Sequence, residues 1–276
     1  MKALIFGNGF IGGHFLKYYG GNAIISKVRI EDFSVVKEEI EAQKPDVVIN
    51  CVGKTGRPNV DWCEDNKMET IASNVIAPLI LARACEDLGV YMVHVGSGCV
   101  YEGDKNGEGY SEDDSPNFCG SFYSRTKAWS EEMLAEFPVL QLRMRMPLDD
   151  QPGPRNFVTK ITKYEKVISV PNSISVVEDF LKASDELIRK RVVGIYNMTN
   201  PGTITHVEIL EMYKELVDPE YEYVLFSVGE MERITKARRS NCGLSSRKLE
   251  SEGIRMRPVK DAVRDMLVKY AKNAKV

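Results

Sequence analysis

The 276-residue sequence lacks the features that mark several classes of protein. Its six cysteines include no Cys-x-x-Cys pair, and its three histidines show no metal-ligand spacing. No continuous apolar run reaches the ~18–20 residues of a membrane span, and the N-terminus shows no signal-peptide layout. A net charge of −3 gives no general attraction to nucleic acid or anionic membranes. These absences argue against a disulfide scaffold, a metal site and a membrane protein, and predict a cytoplasmic enzyme with reduced thiols.

Short apolar runs alternate with stretches of helical periodicity in the first half of the chain. Strands are predicted at residues 2–7, 22–26, 46–52, 91–97 and 139–144, and helices at 11–19, 34–43, 68–88 and 122–137. This alternation predicts βαβ units in an α/β fold, a Rossmann-type doubly wound parallel sheet covered on both faces.

The pattern loosens after Pro147, in a turn-rich joint. We therefore predict a dinucleotide-binding domain with the catalytic residues at 1–146. A smaller C-terminal substrate-binding lobe follows at 147–276, with some segments returning to the sheet. Further helices are predicted at 156–164, 176–190, 207–216 and 259–272, and strands at 167–170 and 194–198. Thr205-His206-Val-Glu208 is a capping-box pattern, which predicts a helix start with His206 on the surface.

The first predicted strand leads into a glycine-rich turn and then into a helix. The turn comprises Gly7, Gly9, Phe10, Ile11 and Gly12. Glycines permit a tight turn and let backbone N–H groups approach a pyrophosphate at the helix N-terminus. This context predicts dinucleotide binding; a purely structural turn is the alternative.

The end of the second strand bears on the choice of cofactor. Lys27 and Arg29 can hold a 2′-phosphate, which favours NADPH. The acidic pair Glu31-Asp32 that follows can instead bind a ribose hydroxyl and thus NADH, and the two cations can equally be a solvated edge.

Tyr123 and Lys127 lie four residues apart in a predicted helix that follows Ser97 at the end of a strand. Residues i and i+4 share a helix face, so the ammonium can lie close to the phenol and favour phenolate. Tyr101 and Lys105 have the same spacing, but the Glu-Gly-Asp between them predicts a turn. A hydroxyl, a phenol and an ammonium in this order are suited to proton delivery in ketone reduction.

Together with Gly9-Phe-Ile-Gly12 and the run ending Asn50-Cys51-Val52-Gly53, these residues resemble the extended short-chain dehydrogenase/reductases. The resemblance implies that Cys51, Val52 and Gly53 also contact the cofactor. One departure is that the interval between the first two glycines is one residue shorter than in that family.

Longer strings narrow the resemblance to the nucleotide-rhamnose synthase/epimerase-reductases, which also form the C-terminal part of plant rhamnose synthases. These strings are Thr55–Glu64, Ser97-Gly-Cys99, Asn117–Tyr123, Arg143–Pro147, Arg155–Lys166, Asn200-Pro-Gly and Arg239-Ser-Asn241. The resemblance implies a bifunctional 3,5-epimerase/4-keto reductase that converts UDP-4-keto-6-deoxy-D-glucose, or its dTDP equivalent, to the β-L-rhamnose nucleotide with NADPH.

The resemblance also assigns catalytic roles. Ser97 holds the C4 oxygen, Tyr123 donates its proton, and Lys127 lowers the pKa of the phenol and holds the nicotinamide ribose. Epimerisation at C3 and C5 requires an acid and a base on opposite faces of the sugar, and these roles fall to Cys99 and Lys160. From the residues alone, Cys99 can be a small buried side chain, and Lys160 can hold a phosphate or lie on a solvated face.

Arginine binds phosphate in bidentate fashion, so we expect Arg239 to contact the diphosphate. The remaining candidate substrate-binding residues are Arg57, Asn59, Arg145 and Asn156.

The resemblance implies two partners, a separate 4,6-dehydratase that supplies the 4-keto sugar and a second copy of the chain in a homodimer. Two other functions remain open, a 4-keto reductase without epimerase activity and a non-catalytic nucleotide-binding regulatory subunit. A GDP-fucose-type enzyme is disfavoured because the segment around Lys160 has no histidine.

Overall fold

The computed structural model describes residues 1–274 and contains, over that range, ten strands and twelve α-helices numbered here in chain order. The strands of the main sheet are β1 (Ala3–Phe6), β2 (Ala23–Ile25), β3 (Val47–Asn50), β4 (Tyr91–Ser97), β5 (Val139–Met144) and β9 (Gly194–Asn197). Their order is β2-β1-β3-β4-β5-β9, and β1 pairs in parallel with β2 and with β3. The strand order therefore reverses between β1 and β3, which is where doubly wound sheets bind ligands. The predicted fold class is confirmed.

Helices flank this sheet in the first compact unit. They are α1 (Phe10–Tyr19), α2 (Phe33–Gln43), α3 (Asp61–Asp65), α4 (Lys67–Ile71), α5 (Ala77–Leu88) and α6 (Phe122–Leu134). Asp32 caps α2 by accepting a hydrogen bond from the Val35 N–H, and Gly89 ends α5 in the left-handed conformation. Leu4, Leu81 and Met92 pack in one buried cluster, and each stabilises the unit by about 1.5–3 kcal/mol.

The helical segment Lys67–Leu88 is continuous because a π-helical turn, Ala72–Ile76, joins α4 to α5. By length and composition alone this 22-residue segment could cross a membrane, which the sequence analysis did not anticipate. Half of its most apolar window is buried inside the protein, as in the core helix of a globular domain, so the finding is weak evidence for a membrane span.

The second compact unit contains two small parallel sheets and most of the remaining helices. Its elements are β6 (Pro147–Leu148), α7 (Phe157–Ile161), β7 (Lys166–Val167), β8 (Ser175–Val176), α8 (Val177–Lys190), α9 (His206–Leu216), β10 (Val224–Leu225), α10 (Val228–Ile234), α11 (Arg247–Ser251) and α12 (Val259–Asn273). Strand β6 pairs with β8, and β7 pairs with β10. Buried side chains that include Ile209 of α9 and Leu267 of α12 form its core.

The boundaries of the two units differ from a single division after residue 146. Within the described residues, the first unit comprises 1–100, 116–143 and 184–196, and the second comprises 101–115, 144–183 and 197–274. Segment 101–115 lies in the first half of the chain but belongs to the second unit. Residues 184–196, in the second half of α8 and in β9, belong to the first unit with the main sheet. Chain crossings of this kind leave no mark in composition.

The capping box at the start of α9 is present, with Thr205 accepting from the Glu208 N–H. The prediction that His206 lies on the surface is wrong. The imidazole is 9% exposed, packs against the Phe157 ring at a centroid distance of 5.2 Å, and has its pKa lowered to about 4 by burial. An aromatic neighbour distant in sequence cannot be read from a local capping pattern.

We predict that Gly12→Ala destabilises the protein by about 3 kcal/mol or more in urea unfolding. A Cβ at Gly12 would lie 1.9 Å from the Gly7 carbonyl oxygen, so α1 would have to move away from the turn after β1. Gly13→Ala is the matched control, because a Cβ there meets nothing within 4 Å. It should leave stability unchanged or raise it by up to about 1 kcal/mol. Equal effects of the two substitutions would contradict the steric argument.

Candidate active site

The turn after β1 packs directly against the residues that follow β3. Gly7 has a φ of +102°, and a Cβ there would lie 2.8 Å from the Cys51 carbonyl carbon and from the Val52 nitrogen. Gly9 is the N-cap of α1, no side chain caps this helix, and no acidic residue lies in its first turn. The N–H groups and positive dipole end of α1 are therefore available to an anion.

Asn50 and His94 fix the chain beside this turn. The Asn50 Nδ2 donates to His94 Nδ1 at 3.0 Å, and the Asn50 Oδ1 accepts from the Val52 N–H at 2.9 Å. Burial, and secondarily the charge of Lys127, hold the pKa of His94 well below its usual range. The neutral imidazole therefore orients Asn50, and Asn50 orients the backbone that meets Gly7.

The two cations that follow β2, Lys27 and Arg29, are exposed to solvent. Arg29 pairs with Glu31 at 2.9 Å, and both side chains are largely exposed. An exposed ion pair contributes at most about 1 kcal/mol, so a phosphate can displace the carboxylate at little cost. Lys27 is also exposed. Their assignment to a 2′-phosphate stays a prediction.

Ser97 ends β4, and the chain turns immediately after it. The Cys99 N–H donates to the Ser97 Oγ at 3.1 Å, a bond that an extended continuation of the strand would not make. The two side chains therefore do not lie on one face of a continuous strand. A local turn brings Cys99 next to Ser97 instead, and Cys99 stays partly accessible.

Helix α6 carries Tyr123 and Lys127 one turn apart, and its N-terminus is fixed twice. The Ser121 Oγ accepts from the Ser124 N–H at 3.0 Å, and the Glu64 carboxylate accepts from the Phe122 N–H at 2.5 Å. The similarly spaced Tyr101 and Lys105 lie in loops, as predicted, and Lys105 donates to Asp114.

The ammonium of Lys127 is buried beside Gly53, where an added Cβ would lie 3.3 Å from its Nζ. Burial lowers the pKa of Lys127 to about 8, while its electrostatic interactions with Cys99, Glu131 and Cys51 oppose this shift. Burial also raises the pKa of Cys51 well above its usual range, so the Cys51 thiol is neutral at pH 7. The structure thus brings Lys127 close to Cys99 and to the cofactor-type turn.

Sequence reasoning missed Asn74, which lies fully buried in the π-helical turn. Its side chain accepts from the Lys54 N–H at 2.6 Å and donates to the Lys54 carbonyl at 3.0 Å. It also donates to the Thr126 Oγ1 at 3.1 Å. Thr126 lies between Tyr123 and Lys127 in the sequence of α6. π-Helical turns are frequent at functional sites. The available signal was an asparagine within an otherwise apolar helical run.

Among the residues of the second unit, Lys160 lies near the end of α7 and is partly buried. Its pKa is lowered by burial first, and then by the charges of Arg155 and Arg239. Two arginines therefore lie within electrostatic reach of Lys160, an arrangement suited to an anionic ligand. The Arg239 Nη1 also donates to the Ala237 carbonyl at 2.6 Å.

Two residues predicted to bind substrate are buried and hydrogen-bonded within the protein. Asn156 is 0% exposed and donates through Nδ2 to the carbonyls of Asp149 and Gln151. The Arg145 guanidinium is 1% exposed and donates to Asn172 and to the Ser240 carbonyl. This geometry favours positioning roles, with Asn156 shaping the start of α7 and Arg145 holding the residue after Arg239. Direct substrate contact by either stays a prediction.

Arg57 and Asn59 lie in the loop after β3. Arg57 is exposed, and the Asn59 Oδ1 accepts from the Asp61 N–H at 2.8 Å, which starts α3. Gly56 has a φ of +72°, and a Cβ there would lie 2.6 Å from the Trp62 Cβ. The loop is therefore tightly folded, and the substrate roles of Arg57 and Asn59 stay predictions.

Comparison with known proteins supports the resemblance drawn from the sequence. Residues 1–272 match the family described as RmlD substrate binding domain. The chain is 42% identical to the bifunctional dTDP-4-dehydrorhamnose 3,5-epimerase/dTDP-4-dehydrorhamnose reductase of Arabidopsis thaliana, over 94% of this chain and 90% of that protein. It is 43% identical to a trifunctional UDP-glucose 4,6-dehydratase/UDP-4-keto-6-deoxy-D-glucose 3,5-epimerase/UDP-4-keto-L-rhamnose-reductase of the same plant. That match covers 98% of this chain but only 42% of the plant protein.

Solved structures agree with these matches. The UDP-rhamnose synthase of Acanthamoeba polyphaga mimivirus superimposes with a TM-score of 0.92 at 33% identity, over 98% of this chain and 99% of that chain. The dTDP-4-dehydrorhamnose reductase of Bacillus anthracis, solved in complex with NADP, shares the fold with a TM-score of 0.83 at 20% identity, over 98% of this chain and 99% of that one.

We predict that Asn74→Ala destabilises the protein by about 3 kcal/mol, because it removes three hydrogen bonds of a buried side chain, two of them to the Lys54 backbone. Thr126→Val is the matched control, since it keeps both bonds between Asn74 and Lys54. It also removes the bond from the Thr126 Oγ1 to the Tyr123 carbonyl, so it should cost about 1–2 kcal/mol. Urea unfolding of the two variants measures the difference, and equal costs would show that the Lys54 bonds contribute nothing.

Proposed function

Because the chain belongs to the RmlD substrate binding domain family, we propose that it is an NADPH-dependent epimerase/reductase of nucleotide-rhamnose synthesis. We propose the substrate to be UDP-4-keto-6-deoxy-D-glucose, or its dTDP equivalent, and the product the β-L-rhamnose nucleotide. The observation that carries this proposal is the grouping of Ser97 and Cys99 with a buried Lys127. The relatives named for both 3,5-epimerase and reductase activities support it.

The residues around the turn after β1 fit a dinucleotide. A Cβ at Gly7 or at Gly12 would clash with neighbouring backbone, so these glycines allow the tight turn after β1, and the uncapped N-terminus of α1 suits a pyrophosphate. Gly9, Phe10 and Ile11 surround the same helix start. Gly53 leaves room beside the Lys127 ammonium, which suits a hydrogen bond to a ribose hydroxyl. When bound, NADPH supplies the hydride for C4 of the sugar.

In the reduction, Tyr123 donates its phenolic proton to the C4 oxygen, and Ser97 positions that oxygen by hydrogen bonding. The charged ammonium of Lys127 stabilises the phenolate that forms on Tyr123. Because the pKa of Lys127 is about 8, the ammonium is largely charged at neutral pH and loses its charge as the pH rises above 8.

In the epimerisation, Cys99 and Lys160 exchange protons with C3 and C5, which the C4 ketone acidifies. Cys99 is partly accessible and adjoins Ser97, the residue assigned to the ketone oxygen. Burial and two neighbouring arginines lower the pKa of Lys160, which favours the neutral amine that a base requires. Arg239 contacts the diphosphate in this proposal. A phosphate-binding role for Lys160 is the alternative.

We predict that incubation with NADPH and UDP-4-keto-6-deoxyglucose in D2O gives UDP-rhamnose with deuterium at both C3 and C5, as read by NMR. Cys99→Ala and Lys160→Met should each lower deuterium incorporation by ~100-fold or more, because general acid–base groups contribute that much. Cys119→Ala and Lys163→Met are matched controls, since both side chains are exposed.

The same experiment separates the alternatives. A 4-reduced sugar that retains protium at C3 and C5 would leave a 4-keto reductase without epimerase activity. No NADPH oxidation with UDP, dTDP or GDP 4-keto sugars would favour a nucleotide-binding regulatory subunit.

We further propose that the protein acts in the cytoplasm, receives its substrate from a separate 4,6-dehydratase and forms a homodimer. The first unit exposes apolar side chains on neighbouring helices, Ile76 before α5 and Trp129 and Met133 on α6. Trp129→Glu should shift the sedimentation coefficient from dimer to monomer, while Val35→Glu on α2 should not. A monomeric wild-type protein would contradict the dimer.

A further inference from the structure

A buried ion pair lies one helical turn beyond Lys127. Glu131 follows Lys127 by four residues on α6, so the two share a face, and both are nearly buried. Arg143 on β5 donates to both oxygens of the Glu131 carboxylate, from Nε to Oε2 at 2.7 Å and from Nη2 to Oε1 at 2.8 Å. The Gln141 side chain also donates to the Glu131 carbonyl at 3.1 Å. The pair is therefore rigidly held beside the ammonium.

The groups facing Lys127 come from several elements. Cys51 follows β3 and is neutral at pH 7, His94 on β4 is neutral, and Cys99 lies in the turn after β4. Glu131 lies on α6, and its cationic partner Arg143 on β5. Glu131 is thus the one carboxylate that acts on Lys127 within residues 1–274.

Lys127 itself forms no ion pair within residues 1–274, although Glu131 is four residues away. Arg143 competes with Lys127 for this carboxylate, because its guanidinium binds both carboxylate oxygens. A carboxylate without that partner would attract the ammonium along α6 and away from Gly53. With the partner in place, Glu131 contributes a favourable field without binding the ammonium.

We propose that Glu131 and Arg143 act together as positioning residues that keep Lys127 charged while leaving its ammonium directed to the site of ketone reduction. Glu131 provides the negative field that offsets the burial of Lys127. Arg143 limits that field and prevents a direct Lys127–Glu131 ion pair. The inference rests on the proposed reductase function for its catalytic meaning.

The two partners should therefore shift the Lys127 titration in opposite directions. Glu131→Gln removes the anion, so the ammonium loses its proton at a lower pH, by on the order of one pH unit. Arg143→Met removes the competing cation, so the ammonium keeps its proton to a higher pH. Arg143→Lys restores a cation and should return the midpoint towards the wild-type value. A role confined to stability would move neither midpoint.

NMR titration of protein labelled with ¹⁵N-lysine measures the midpoint in the apo protein, with the Lys127 signal assigned by its loss in Lys127→Met. Glu132→Gln is the matched control, because this neighbouring side chain is exposed. An unchanged midpoint in Glu131→Gln, or shifts of the same sign in Glu131→Gln and Arg143→Met, would overturn the inference.

Two additions keep the test decisive. If either single variant fails to fold, Glu131→Gln/Arg143→Met removes both buried charges together, which cores tolerate better than one unpaired charge. Its midpoint should lie below the wild-type value by no more than about 0.5 pH unit, and an upward shift or a larger one would contradict the compensation. The alkaline limb of kcat/KM for 4-keto reduction should follow the NMR midpoints. Shifted midpoints in a protein that reduces no 4-keto sugar would uphold the inference and refute the proposed function.

Discussion

The burial of one ammonium group, that of Lys127, is the constraint on which the candidate site depends. Taking a cation out of water is costly, and the structure lets it remain charged near neutral pH by limiting that cost. Gly53 gives the ammonium room, while neutral Cys51 and His94 avoid adding like charge or a competing anion. The residues around Lys127 therefore have to be considered together as one electrostatic environment.

This environment of Lys127 requires helix α6 to be fixed at several points along its length. Ser121 and Glu64 bind the first N–H groups of α6, Asn74 bonds to Thr126 in its second turn, and the Glu131–Arg143 pair joins its third turn to β5. Each bond comes from a different part of the chain. The orientation of Tyr123 and Lys127 is consequently set by tertiary contacts more than by the intrinsic helix propensity of α6.

Sequence reasoning succeeded where the signal is local. The five strands before residue 146 and their helices follow from apolar periodicity, and the turn at Gly7–Gly12 follows from its glycines. It failed where the signal is not local. Short elements such as α10 and β10 have too few residues to show a period. The sequence predicts that some segments return to the main sheet, but which ones do, here residues 184–196, depends on packing. The buried state of His206 depends on Phe157, which lies far away in sequence.

The candidate site shows the same division, and it explains why Glu131, Arg143 and Asn74 were not singled out. Residue types suited to chemistry, such as those of Tyr123 and Cys99, can be singled out by their identity and spacing. Residues that set charge and position have ordinary identities, and only their burial and partners distinguish them. A glutamate one turn after Lys127 would be a solvated side chain on an exposed helix face. On the buried face of α6, with Arg143 bound to both of its oxygens, the same glutamate sets the pH up to which the ammonium of Lys127 keeps its charge.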